Sequence, residues 1–164
     1  MRDILFRGKD SDTGKWYEGF YMALSDTTYC FKEDYDRHPD NTKHYIVFDK
    51  MTDWCLPNQH LKADVDPSTV GQYTGLKDKN GKRIFEGDIL GSRYDYLYPD
   101  NVAVEVVKWF CNSWVIQEGD HLPTMLEEDE IMPYSEVIGN VHDNKELWGG
   151  LINEQGSSKI FSKM

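Results

Sequence analysis

The sequence predicts a mainly β protein, and three observations carry that prediction. Tyr, Trp, Phe, Val and Ile are plentiful, while Asn, Asp and Gly are scattered between short apolar runs, which is the pattern of strands and turns. In "NVAVEVVKWF" (101–110) the valines Val102, Val104 and Val106 recur at period two with Glu105 opposite, the spacing that lines one face of a strand. In "QYTGLKDKNGKRIFEGDIL" (72–90) the pair Asn80-Gly81 stands between two strand-like runs, where a hairpin turn needs residues that accept positive φ.

Taken in order, "ILFRG" (4–8) is a strand. A turn follows at Asp12-Thr13-Gly14, then a second strand through Trp16, Tyr17 and Phe20, because Asp bonds its own backbone and Gly tolerates positive φ. "TTYCFKE" (27–33) and "HYIVFDK" (44–50) are two further expected strands, separated by the polar loop "DYDRHPDN" with Pro39 in it, since Pro cannot continue a ladder. "DVDPSTVGQYTG" (64–75) is the expected seam between two regions, as Pro67 and two glycines break regular structure there. "RIFEGDILGSRY" then reads as one long strand or two joined at Gly87, the place for a bulge or sharp corner. "SWVIQ" (113–117) pairs with the preceding run through Cys111-Asn112. "EGDHLPTMLEEDEIMP" (118–133) reads as an acidic loop with at most a short helical turn. "SEVIGNVHD" (135–143) is a last strand, and "DNKELWG" (143–149) is one helical turn with Asp143 as N-cap and Glu146 three positions on. The remainder is expected to fray.

Composition narrows the function classes. A chain of 164 residues with 39% hydrophobic and 13% aromatic residues holds a real core, unlike a disordered polymer. With 18 basic against 29 acidic residues, a net charge of −11 and no basic run, the chain is not expected to be a general nucleic-acid binder, which gathers Lys and Arg on one surface, and its acidity disfavours anionic membranes. The start has too short an apolar stretch for a secretory signal, and no later run spans a bilayer. Cys30, Cys55 and Cys111 are odd in number and far apart, so they read as reduced thiols of a cytoplasmic protein.

Three stretches together carry a family likeness. "MRDILFRG", "QYTGLKDKNGKRIFEGDIL" and "SEVIGNVHDNKEL" stand in the order and approximate spacing of YopX-like proteins, which the chain resembles over roughly residues 1–148. The resemblance implies a small bacteriophage or prophage protein, mainly β, with an SH3-like barrel or roll in the C-terminal half and a tendency to form oligomers. It brings no reaction, cofactor or catalytic residue with it. The expected organisation is an N-terminal β region (1–68), an SH3-like barrel (69–148) and a frayed tail (149–164), with a soft boundary and a shared core.

Chemistry-bearing patterns are sparse. "GLKDKNG" lacks the glycine run into a helix N-terminus that a phosphate loop needs, so Asn80, Gly81, Gly87 and Asp88 are assigned to turns. His38, His44, His60, His121, His142 and the cysteines show no paired metal spacing, so no metal and no cofactor is expected. Glu127-Glu128-Asp129-Glu130 lacks the order of a calcium loop, and no Gly-x-Ser-x-Gly elbow is present. No catalytic residue is assigned. One pattern favours recognition: Tyr94, Tyr96 and Tyr98 alternate in "RYDYLYPDN", so an extended chain aligns their rings on one face. The expected role is therefore binding or assembly, with the chain itself as partner in a homo-oligomer, or a host or phage protein. Two other readings compete: a metal-assisted or acid–base hydrolase in an acidic cleft, and an acidic mimic of DNA.

Overall fold

A computed structural model describes residues 3–25, 27–37, 42–52, 56–93, 102–128 and 133–148. Among these residues eleven strands make two antiparallel sheets, ordered β4-β3-β2-β1-β5-β6 and β10-β9-β8-β7-β11. The chain divides into two compact units, Met1–Gln72 and Tyr73–Met164. The mainly β class holds. Neither sheet closes into a barrel, because β4 and β6 end one strand order and β10 and β11 end the other.

In the first unit, β1 (Phe6–Lys9) and β2 (Trp16–Ser25) form a hairpin in the register Lys9↔Trp16. Asp10 builds the turn: its Oδ1 accepts the N–H of Thr13 at 2.7 Å and of Asp12 at 3.1 Å, while Gly14 takes φ 68°. Past Gly19, β2 changes partner and pairs with β3 (Thr42–Lys50), starting at Phe20↔Val47. Glycine is required there because an added Cβ would lie 2.1 Å from the Val47 carbonyl oxygen. Strand β4 (Gln59–Asp64) completes the ladder from Lys50↔Gln59 to Tyr45↔Asp64. "QHLKAD" has no β-branched residue, so pairing with β3 makes this strand rather than local preference. Ile46, Ala63 and Val65 form the core here, packed by Phe6, Tyr17, Tyr21, Phe48 and Val70.

One expected strand is absent. Residues 27–31 are not a strand, and Lys32–Arg37 is a helix, α1. Glu33 and Asp34 occupy its first turn and Arg37 its last, each favourable toward the helix dipole, and Tyr29 meets Tyr35 edge-on at 6.0 Å between centroids.

Within the stretch 64–75 the two glycines do not break regular structure as expected. A 3-10 turn at Pro67–Thr69 is capped by Asp66, whose side chain accepts the Ser68 N–H. Both glycines that follow, Gly71 and Gly75, then lie inside β5 (Gly71–Lys77). The start of β5 pairs with β1 through Arg7↔Gly71, and its remainder pairs with β6 (Arg83–Phe85) through Tyr73↔Phe85 and Lys77↔Arg83.

In the second unit, β7 (Asp88–Ser92) is buried along its whole length between β11 (Ser135–Asn140) and β8 (Ala103–Phe110). Strand β9 (Ser113–Gln117) follows β8 in the register Phe110↔Ser113, and the two-residue β10 (Thr124–Met125) borders β9. Cys111 and Asn112 both take positive φ, 48° and 62°, the primed turn that matches strand twist. Ile84, Leu90, Val107, Trp114, Ile116 and Leu126 form the core. Glu105 does face away from Val104 and Val106, but that side is buried too. The closing helix α2 (Lys145–Trp148) begins one residue later than an Asp143 cap would place it.

Candidate functional site

The central motif is organised by one carboxylate. Asn80-Gly81 does not make a two-residue hairpin: the flanking pair is Lys77↔Arg83, so five residues connect the strands. Gly81 has φ 80°, whereas Asn80 is not in the left-handed region. Asp78, buried at the start of the loop, accepts the N–H of Asn80 at 2.8 Å and of Lys82 at 2.9 Å on Oδ1. Its Oδ2 accepts the N–H of Val137 on β11 at 3.0 Å, and the neighbouring Lys79 N–H donates to the Ser135 carbonyl at 3.1 Å. The loop therefore covers the outer edge of β11 in place of another strand, which removes an exposed ladder. Burial opposes ionisation of Asp78, yet the N–H groups of Val137, Lys82 and Asn80, with the Lys82 charge, outweigh it and hold the carboxyl below its ordinary range.

Gly87 and Asp88 form the corner between β6 and β7. Gly87 has φ 78°, its N–H donates to Val107 and its carbonyl accepts from Val141, both at 2.9 Å. Fully buried Asp88 accepts the Phe85 N–H at 2.7 Å on Oδ2. A carboxylate without solvent access, bound to backbone, has no route to a substrate.

One arrangement has the appearance of a nucleophile with its base. Ser92 Oγ donates to Glu105 Oε2 at 2.7 Å, and Ser135 Oγ lies 2.7 Å from Ser92 Oγ. Since the Ser92 proton is committed to the carboxylate, Ser135 donates to Ser92. Both hydroxyls have no accessible surface, so the chain ties β7, β8 and β11 together instead of presenting an attacking oxygen.

Among the described residues, no three His, Cys, Asp or Glu side chains converge as a metal site would require, and no helix is long and apolar enough to cross a membrane. Cys30 and Cys111 are free and exposed. Cys55, His38 and the recognition residues Tyr94, Tyr96 and Tyr98 lie outside the described residues.

Two exposed apolar surfaces stand out. On β2, Phe20, Met22 and Leu24 follow one another on one face and are 63%, 40% and 48% exposed. The signal is present in "GFYMAL", but Tyr21 and Ala23 make the other face apolar as well, so the sequence does not say which side meets solvent. Across the ladder from this row stand Val47, Tyr45 and Lys43, and beyond them Lys62 and Asp64. The Lys62 ammonium sits 4.2 Å from the Tyr45 ring centroid, and Lys43 lies 3.9 Å from the Asp64 carboxylate. The second surface is the turn end of the β8–β9 hairpin, where Trp109 and Phe110 are exposed and Trp109 meets the buried Trp114 edge-on at 4.7 Å between centroids.

The fold has a counterpart among solved structures. Protein EF1440 from Enterococcus faecalis aligns with 90% of this chain and 99% of its own at a TM-score of 0.55 and 22% sequence identity, a likeness that concerns the fold alone. No curated protein matches the sequence. The YopX protein family model matches residues 5–148, a span that contains both hairpins, the Asp78 loop and β11, and on that match the chain belongs to the YopX protein family.

Proposed function

We propose that this protein acts by binding and assembly rather than by catalysis, as an accessory protein of a bacteriophage or prophage, in the cytoplasm, and as a homo-oligomer. Family membership supports the phage setting. The observation that carries the assembly reading is the Phe20, Met22 and Leu24 row. Three consecutive outward positions of one strand bearing large apolar side chains form a contiguous patch, and such patches mark contact surfaces. A second copy is the occupant that fits it. Two chains of net charge −11 repel, so they meet best where charge is locally balanced. This face supplies that balance, with Lys43 and Lys62 set among Glu18, Asp49 and Asp64. A closed, two-fold contact repeats the same patch on both sides. For the second unit we also propose an SH3-like roll, open rather than closed, and a domain line near residue 68.

Light scattering on the full chain at micromolar concentration tests the assembly reading. The wild type is expected as an oligomer, and Phe20→Glu with Leu24→Glu as a folded monomer. A strict wild-type monomer overturns it.

A further inference from the structure

We infer that the turn end of the β8–β9 hairpin is a docking surface for a cationic segment of a partner protein, with a Lys or Arg side chain over the Trp109 ring and paired to Glu127 and Glu128. It is independent of the self-association face, which lies in the other unit.

The first observation is a held but uncovered aromatic ring. Trp109 and Trp114 are direct partners across the ladder, and Trp109 is 51% exposed against a buried Trp114. Elsewhere the protein places its own cations over rings: Arg7 on Trp16, Lys15 on Tyr17, Lys62 on Tyr45 and Arg83 on Tyr73. Among the described residues no cation stands over Trp109 or Trp114. Trp is the strongest aromatic partner for a cation.

The second observation is charge. From Trp109 to Glu128 the chain contains no Lys or Arg, and the preceding Lys108 donates to Gln117 Oε1 at 3.1 Å. The Leu126 N–H donates to the Trp114 carbonyl at 2.9 Å, so the chain that carries the exposed Glu127 and Glu128 leaves along β9 on the edge opposite Trp109, one strand away from it. An exposed aromatic ring on an acidic stretch that holds no Lys or Arg complements a basic segment.

The third observation is a second exposed ring. Phe110 flanks the Cys111-Asn112 turn and is exposed, which extends the apolar surface around the turn, and Trp, Phe and Arg are the residues that dominate such interfaces.

The test titrates the capped peptide Arg-Pro-Leu-Arg-Pro-Leu-Arg into the nitrogen-15-labelled full chain at about 150 mM salt, where long-range attraction is screened. The Glu-for-Arg peptide and free spermine serve as controls. The expected result is movement of the Trp109 and Trp114 indole N–H signals together with the amides of 110–114. Trp109→Ala and the pair Glu127→Gln/Glu128→Gln should each weaken binding by about tenfold. Glu33→Gln/Asp36→Asn on α1, which removes two charges elsewhere, should leave it within about twofold. If Trp109→Ala does not fold, the Glu127/Glu128 pair decides alone. Equal weakening by the α1 pair, equal binding of spermine, or no movement of either indole signal overturns the proposal.

Discussion

The Asp78 carboxylate accepts the backbone N–H of Val137 at 3.0 Å, across 59 positions of sequence. With two further N–H groups from its own loop on the other oxygen, this side chain both shapes the turn and closes the edge of β11. An anion in that position stands in for a neighbouring strand's carbonyl oxygens. Charge-assisted hydrogen bonds to buried donors are among the stronger single polar contacts in a fold.

Removing it therefore leaves buried donors unmet. Asp78→Ala is expected to destabilise the protein by about 3 kcal/mol, since each orphaned donor carries a desolvation cost. Asp78→Asn, which keeps one acceptor oxygen, should cost about 2 kcal/mol. Urea unfolding followed by circular dichroism measures both, and a loss under about 1 kcal/mol for the alanine variant would contradict the role.

The same carboxylate sets an acid limit. Asp78 titrates below its reference value of 3.8. Glu136 titrates below 4.5, chiefly through the hydrogen bond from Lys79, against a smaller burial effect and with help from the Lys79 and Arg93 charges. A group with a depressed folded pKa stabilises the fold fully above its unfolded pKa and loses that contribution as pH falls through the folded one. The melting temperature should thus be flat above about pH 5 and fall below about pH 4. In Asp78→Asn the acid limb should be shallower. An unchanged limb would assign acid unfolding to other carboxylates.

Two glycines separate steric from conformational need. Gly19→Ala puts a Cβ against the Val47 backbone, which cannot retreat without parting β2 from β3, and should cost about 3 kcal/mol. At Gly81 nothing lies within 4 Å of an added Cβ, so Gly81→Val should cost about 1 kcal/mol or more through the left-handed φ alone. Thermal unfolding that ranks the two in reverse would refute this division.

The β8–β9 turn offers a gain. Cys111 holds φ 48° with a side chain poorly suited to it, whereas Asn-Gly is the preferred pair for this turn. Replacing Cys111→Asn and Asn112→Gly together should stabilise the fold by about 1 kcal/mol. A lower melting temperature in the double variant would show that Cys111 contributes packing that the turn geometry does not reveal.

Local chemistry was legible where it acts alone. Alternation placed β8 in "NVAVEVVKWF", short apolar runs placed β7, β9 and β11 in "RIFEGDILGSRY", "SWVIQ" and "SEVIGNVHD", and Gly87 marked the corner, because strand composition and φ preference are properties of a few adjacent residues. Motif order carried the family. Local reading failed where a distant partner decides. The run 27–31 has strand formers but no ladder to join, and the charge order of 32–37 favours a helix instead. "QHLKAD" has few strand formers yet becomes β4 because β3 offers its open edge. Asn80-Gly81 signalled a turn, but the turn's length follows from Asp78 bonding Val137, a contact no spacing rule contains. Exposure was likewise undetermined: Phe20, Met22 and Leu24 alternate with apolar Tyr21 and Ala23, and only packing on Ile46 and Phe6 settles which row faces inward. The sequence by itself determined the class of structure, its family and most of its turns. The tertiary structure alone decided the sheet partners, the buried carboxylates and the surfaces left open, because each depends on residues that meet only after the chain has folded.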